Sequence, residues 1–170
     1  MKISSNILIC LIIGIIGCKQ NSTETKAKTE IEAEPIVISF DDKPAFADFT
    51  KLNLDDKCVN LLDPRNTPAA ERESVVNAWS TFHKKVNTYL TEQNFSWEVP
   101  DSTIRIYNRI YFDKNGNVNY YVFNINTPSV SEAKKAEFQR LLKMFSKDVQ
   151  LGLKREEQYA QCGSIKYLNY

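Results

Sequence analysis

The sequence predicts an α+β domain: a small antiparallel sheet, a β-hairpin plus a C-terminal strand, packed against two long amphipathic helices in the order α-β-β-α-β. Three observations carry this. Two segments, residues 67–93 and 129–150, repeat apolar residues every three or four positions. Two runs between them, TIRIYNRIYF at 103–112 and VNYYVFNI at 118–125, are β-rich and alternate in character. The residues joining those runs, Asp113-Lys114-Asn115-Gly116-Asn117, hold the glycine that a tight hairpin needs.

Each element has its own signal. IVISF at 36–40, after Pro35, reads as an edge strand or a docking segment. Ala45, Phe46, Phe49 and Leu52 have rough helical spacing. Thr67 and Pro68 read as the N-cap and first residue of the first long helix, with Glu71 and Glu73 in its opening turns. Val75, Trp79, Phe82, Val86 and Tyr89 form its apolar stripe, and His83 borders that stripe as a packing or surface residue. Ser129 with Glu132, after Pro128, reads as the capping box of the second helix. Its stripe is Phe138, Leu141, Leu142, Phe145 and Val149, and Gly152 ends it. Residues 154–161 are polar and suggest a helical turn, and IKYLNY at 165–170 reads as the last strand.

A three-residue loop, Lys114–Gly116, sets an expected register. Phe112 faces Val118, Ile110 faces Tyr120 and Asn108 faces Val122. On the opposite face Arg109 meets Tyr121, Tyr107 meets Phe123 and Arg105 meets Ile125. That second face interleaves arginine with aromatics. Arg105, Tyr107, Arg109, Tyr121 and Phe123 are therefore the candidate binding face, since Arg, Tyr and Phe are enriched at interfaces. The competing reading is a partly buried face with arginines laid over tyrosines. The Asp and Asn residues of the turn do not have calcium-loop spacing, because the glycine precedes Asn117.

Composition narrows the chemistry. The chain has 170 residues, 42% apolar and 25% charged, with a formal net charge of +1. Without Lys2 the balance is neutral, which gives no global reason to bind nucleic acid. Five glycines and one histidine are thin material for a phosphate loop or a metal site, and no cofactor or metal is expected. No Gly-x-Ser-x-Gly or His-Glu-x-x-His pattern occurs. An enzyme of hydrolase type would have to draw its carboxylates from Asp41, Asp42, Asp55 or Asp56, which also read as caps and solvated loops.

The N-terminus carries a different signal. Lys2 precedes an apolar run of eleven residues, ILICLIIGIIG, ending at Gly17. A helix of that length is too short for a bilayer, which takes about 20 residues. Ile15-Ile16-Gly17-Cys18 resembles the lipobox of bacterial lipoproteins. The resemblance implies that residues 1–17 are a signal peptide and that Cys18 becomes an acylated N-terminus held in a membrane. Lys19, rather than Asp, follows the cysteine, which by the same resemblance favours the outer membrane. Residues 18–34 then form the lipidated cysteine and a polar tether, and residues 35–170 the single α+β domain. Among the four cysteines, Cys10 leaves with the leader and Cys18 is acylated. Cys58 and Cys162 remain, most simply as one disulfide, otherwise as two thiols.

The strand, hairpin turn, strand, helix and strand from Thr103 onward, with the turn FDKNGNV, resemble the C-terminal domain of TonB-like energy transducers. The resemblance implies that the last strand, Ile165–Tyr170, offers its edge to an extended partner peptide. This chain lacks the uncleaved anchor helix and the proline-rich span of that family, so it implies binding and not energy transduction. The expected role is a membrane-tethered, non-catalytic binding or assembly module of the cell envelope.

Overall fold

In the computed structural model, which describes residues 34–169, the alternating run Thr103–Phe112 (β3) is the central strand of a five-stranded mixed sheet. Its neighbours are both antiparallel: Val118–Ile125 (β4) on one side and Tyr159–Leu168 (β5) on the other. Parallel strands close each flank. Ile36–Ser39 (β1) pairs with β4, and Val59–Asn60 (β2) pairs with the first two residues of β5. The spatial order is β1-β4-β3-β5-β2.

This corrects the expected sheet. It is mixed and not wholly antiparallel, and the order α-β-β-α-β is only the C-terminal part of the chain's order. Before it come β1, the helices Lys43–Thr50 (α1) and Leu54–Lys57 (α2), and β2. The last strand also begins six residues earlier than its sequence shows. Gln161 and Gly163 occupy helix-facing positions of β5, where an apolar residue is expected. Gly163 leaves room for Trp79, since an added Cβ would lie 3.3 Å from its ring.

The two long helices, Arg72–Glu92 (α3) and Glu132–Lys147 (α4), cover one face. Val75, Trp79, Phe82 and Val86 of α3 meet Phe138, Leu141, Leu142 and Phe145 of α4 over Ile104, Ile106, Ile110 and Phe112. The stripes are those the sequence shows except at the end of α4, which stops at Lys147, so that Val149 joins the core from beyond the helix and Gly152 does not end it. The caps differ too. Ser131, not Ser129, accepts the Lys134 amide at the start of α4. Thr67 is buried and donates its hydroxyl to the Leu61 carbonyl at 2.6 Å, and a 3-10 turn at Ala69–Glu71 leads into α3 instead.

The other face is covered at one end only. Phe49 of α1 packs with Ile38, Tyr111, Val122, Ala160 and Cys58 beneath the short helices. Asp42 caps α1 by accepting the Ala45 amide at 3.1 Å. Toward the start of β3 the same face is open, and Arg105 and Tyr107 stand in solvent.

The hairpin turn is held by Asp113, whose carboxylate accepts the amides of Asn115 and Asn117 at 2.8 and 2.9 Å. Gly116 has φ +90°, and a Cβ there would lie 2.9 Å from the Leu153 carbonyl oxygen. The expected signal peptide, Cys18 and the expected tether up to residue 33 lie outside the described residues. No helix among the described residues is long and apolar enough to cross a membrane. Glu34, the first described residue, pairs with Lys147 at 2.6 Å beside β1.

Candidate functional site

The expected arginine–aromatic face forms in part. Phe112 pairs with Val118 as the loop length dictates, but Tyr111 pairs with Tyr120, so Asn119 is an extra residue in β4. This bulge shifts every later pair by one. Ile110 faces Tyr121, Asn108 faces Phe123, Arg109 faces Val122 and Tyr107 faces Asn124. A shift of one residue turns a strand's side chains to the opposite face. Tyr121 and Phe123, 0% and 1% exposed, therefore lie in the helix-side core and not on the candidate face. Arg105, Tyr107 and Arg109 remain on the outer face, joined there by Val122 and Asn124.

At the border between the open and covered ends of this face lies a niche of about 250 Å³. Phe40 and Phe46 form one wall with their rings 4.5 Å apart, Tyr107 and Arg109 form the other, and Val122 lies at the base. Asp55 of α2 accepts from the Arg109 guanidinium at 2.9 Å and from the Tyr111 hydroxyl at 2.5 Å, fixing the wall from behind.

The second expected site is the edge of the last strand at Ile165–Tyr170, and β5 extends back from it to Tyr159. β5 is not an edge strand along its whole length, since β2 pairs with Tyr159 and Ala160. Beyond Ala160 its ladder runs to β3 alone. The register fixes where its backbone groups point. The Asn169 amide donates to Ser102 on the β3 side, whereas the Leu168 and Cys162 amides turn outward to the carboxamide oxygens of Asn87 and Asn60. By the alternation of an antiparallel ladder, the amides of Ser164 and Lys166 also turn outward. Lys166 borders a groove of about 460 Å³ between β5 and α3, lined by Ser80, His83, Lys84, Asn87 and Thr88 on one side and by Ile165–Leu168 on the other.

Beneath this groove runs a buried polar chain that sequence reading misses. The Tyr121 hydroxyl donates to Asn108 Oδ1 at 2.9 Å, and the Asn108 amide donates to the Ile106 carbonyl. The Tyr167 hydroxyl lies 3.4 Å from that of Tyr121 and makes a close hydrogen bond with His83 Nδ1. Burial pushes the His83 imidazolium down to a pKa of about 3 and raises both tyrosine hydroxyls. His83 is thus neutral at physiological pH, and Nε2 has no hydrogen-bond partner. The sequence leaves His83 as a packing or surface residue at the border of the apolar stripe, and the fold packs it inward, 4% exposed. Its tyrosine partner comes from a strand 84 residues away.

The disulfide expected between Cys58 and Cys162 is not formed, and both are free thiols. The β2–β5 register explains this. Asn60 pairs with Ala160, so the two cysteines lie two residues beyond that pair in opposite directions along parallel strands. That is a separation of roughly 13 Å at ~3.3 Å per residue, beyond the ~7 Å that a disulfide bridges between Cα atoms. Burial holds the Cys162 thiol up at about 11 and also raises Cys58, so both stay protonated at neutral pH.

The four aspartates considered for catalysis have structural duties or stand in solvent. Asp41 pairs with Lys135 at 2.8 Å, Asp42 caps α1, Asp55 holds Arg109 and Tyr111, and Asp56 is exposed on α2. No group of three or more potential metal ligands occurs among the described residues. No family model matches the chain, and no curated protein and no solved structure matches it.

Proposed function

We propose that this protein is a membrane-tethered lipoprotein of the cell envelope that acts as a non-catalytic binding module, held through acylated Cys18 at the outer membrane. Its partner is an extended protein segment that adds to the outward edge of β5 between Ser164 and Leu168. One observation carries the binding site: β2 pairs with β5 only as far as Ala160, and between the Cys162 and Leu168 amides, which are bonded to Asn60 and Asn87, the outward amides of Ser164 and Lys166 have no strand beside them among the described residues. Unpaired strand edges recruit extended chains through their backbone groups, with side-chain pockets adding selectivity. The hydroxyls of Ser80 and Thr88 and the ammonium of Lys84 line the wall opposite that edge.

Ser164→Pro tests the reading. Proline removes an outward amide and leaves the β3 ladder intact. The unit formed by residues 32–170 has its own core and is used without the leader. Extended peptides selected from a random library by the wild-type unit at this edge should lose binding to the Ser164→Pro variant, with its melting temperature unchanged. Undiminished binding of every selected peptide would refute the edge as the site.

A further inference from the structure

The outer face carries a second observation, independent of the β5 edge. Arg105 of β3 and Lys166 of β5 stand directly opposite each other, both exposed. Like charges at paired cross-strand positions repel and destabilise a sheet. Among the described residues neither has an acidic partner, whereas Arg109 on the same face is matched by Asp55. Two residues along β3 from Arg105 is Tyr107, 41% exposed, which forms a wall of the aromatic niche with Phe40, 37% exposed. The niche is therefore one side-chain repeat of an extended chain, roughly 6.6 Å, from the repelling pair.

We propose that the outer face binds an extended acidic segment of a partner protein. A large apolar side chain of that segment fills the niche between Phe46 and Tyr107, and a carboxylate two residues away lies between Arg105 and Lys166. Charge complementarity selects the occupant: the cations stand opposite each other across the sheet, and no anion among the described residues pairs with either. The surroundings favour a single chain over an anionic bilayer. Asp48, Asp55 and Asp56 stand on the two helices that flank the niche, and a planar anionic surface would meet them as well as the cations. The niche is closed on both sides by aromatic rings, which suits one side chain.

The test is made in the Ser164→Pro background, so that failure of the β5 edge reading and failure of this one are separable. The 32–170 unit carrying Ser164→Pro is used to select from a random peptide library. It should enrich peptides with Phe, Leu or Tyr two residues from Asp or Glu. Arg105→Glu should weaken their binding about two- to fivefold, the loss of one exposed ion pair. Its melting temperature should be equal to or above that of its parent, because the substitution turns a repulsive cross-strand pair into an attractive one. Lys84→Glu, on the α3 side of the groove, should leave binding unchanged. Selected peptides without acidic residues, or equal binding by the Arg105→Glu variant, would overturn the proposal. So would Arg105-dependent binding to phosphatidylglycerol vesicles with no peptide selected, which would make the face a membrane contact.

Discussion

His83 is the single histidine of the chain, and it is buried against Trp79 with the two rings 4.0 Å apart. Its folded pKa of about 3 lies below the ordinary value of 6.5. The unfolded chain therefore takes up a proton that the folded chain refuses. The corresponding stability is fully present above pH 6.5 and is lost as pH falls from 6.5 toward 3. The loss is about 1.4 kcal/mol per pH unit in that window, or about 2 kcal/mol between pH 7 and pH 5. Urea denaturation of the 32–170 unit at the two pH values should show it, and His83→Gln should abolish the difference while lowering stability at pH 7. Gly116 provides a second residue-scale expectation. Its positive φ and the nearby Leu153 carbonyl make Gly116→Ala destabilising by about 1–3 kcal/mol. An unchanged denaturation midpoint for that variant would contradict the turn geometry.

At the scale of elements, the bulge at Asn119 decides what the hairpin offers to a partner. It takes Tyr121 and Phe123 out of the candidate face and puts them into the core. Phe123→Ala should cost about 3–5 kcal/mol, as for other buried aromatics. Tyr107→Ala should cost about 1 kcal/mol, because its side chain lies at the sheet surface, 41% exposed, and leaves no buried cavity when truncated. Similar, small losses for both variants would restore the register without a bulge. The sequence could not reveal the bulge because β4 is buried on both faces. Tyr121 and Phe123 point to the helices, while Tyr120 and Val122 point to the α1 cluster. With apolar residues at four consecutive positions, alternation has no phase to read. The helices were legible for the opposite reason, since α3 and α4 each bury one stripe and keep a solvated back. β5 was half legible: Ile165 and Tyr167 alternate visibly, but Gln161 and Gly163 interrupt the pattern where Trp79 fills the space. β2 is two residues long and is specified by its partner strand more than by its own composition.

At the scale of the whole molecule, the open surfaces of the domain lie beyond the reach of its short helices, and the proposed tether would hold it by its N-terminus. The proposed anchor rests on a local pattern, Ile15-Ile16-Gly17-Cys18, which a sequence shows in a few residues. The binding surfaces were not legible in this way, because they depend on where β2 stops and where α1 and α2 end. Cys18→Ala tests the tether: the protein should leave the membrane fraction of an expressing bacterium, and retention there would refute the anchor. The domain's role turns on the outward edge of β5. The most direct measurement is amide hydrogen exchange of the 32–170 unit with and without a selected extended peptide. Exchange at Ser164 and Lys166 should slow on binding, while Ile165 and Tyr167, already bonded to β3, should change little. Unchanged exchange at Ser164 and Lys166 with a bound peptide would contradict the account.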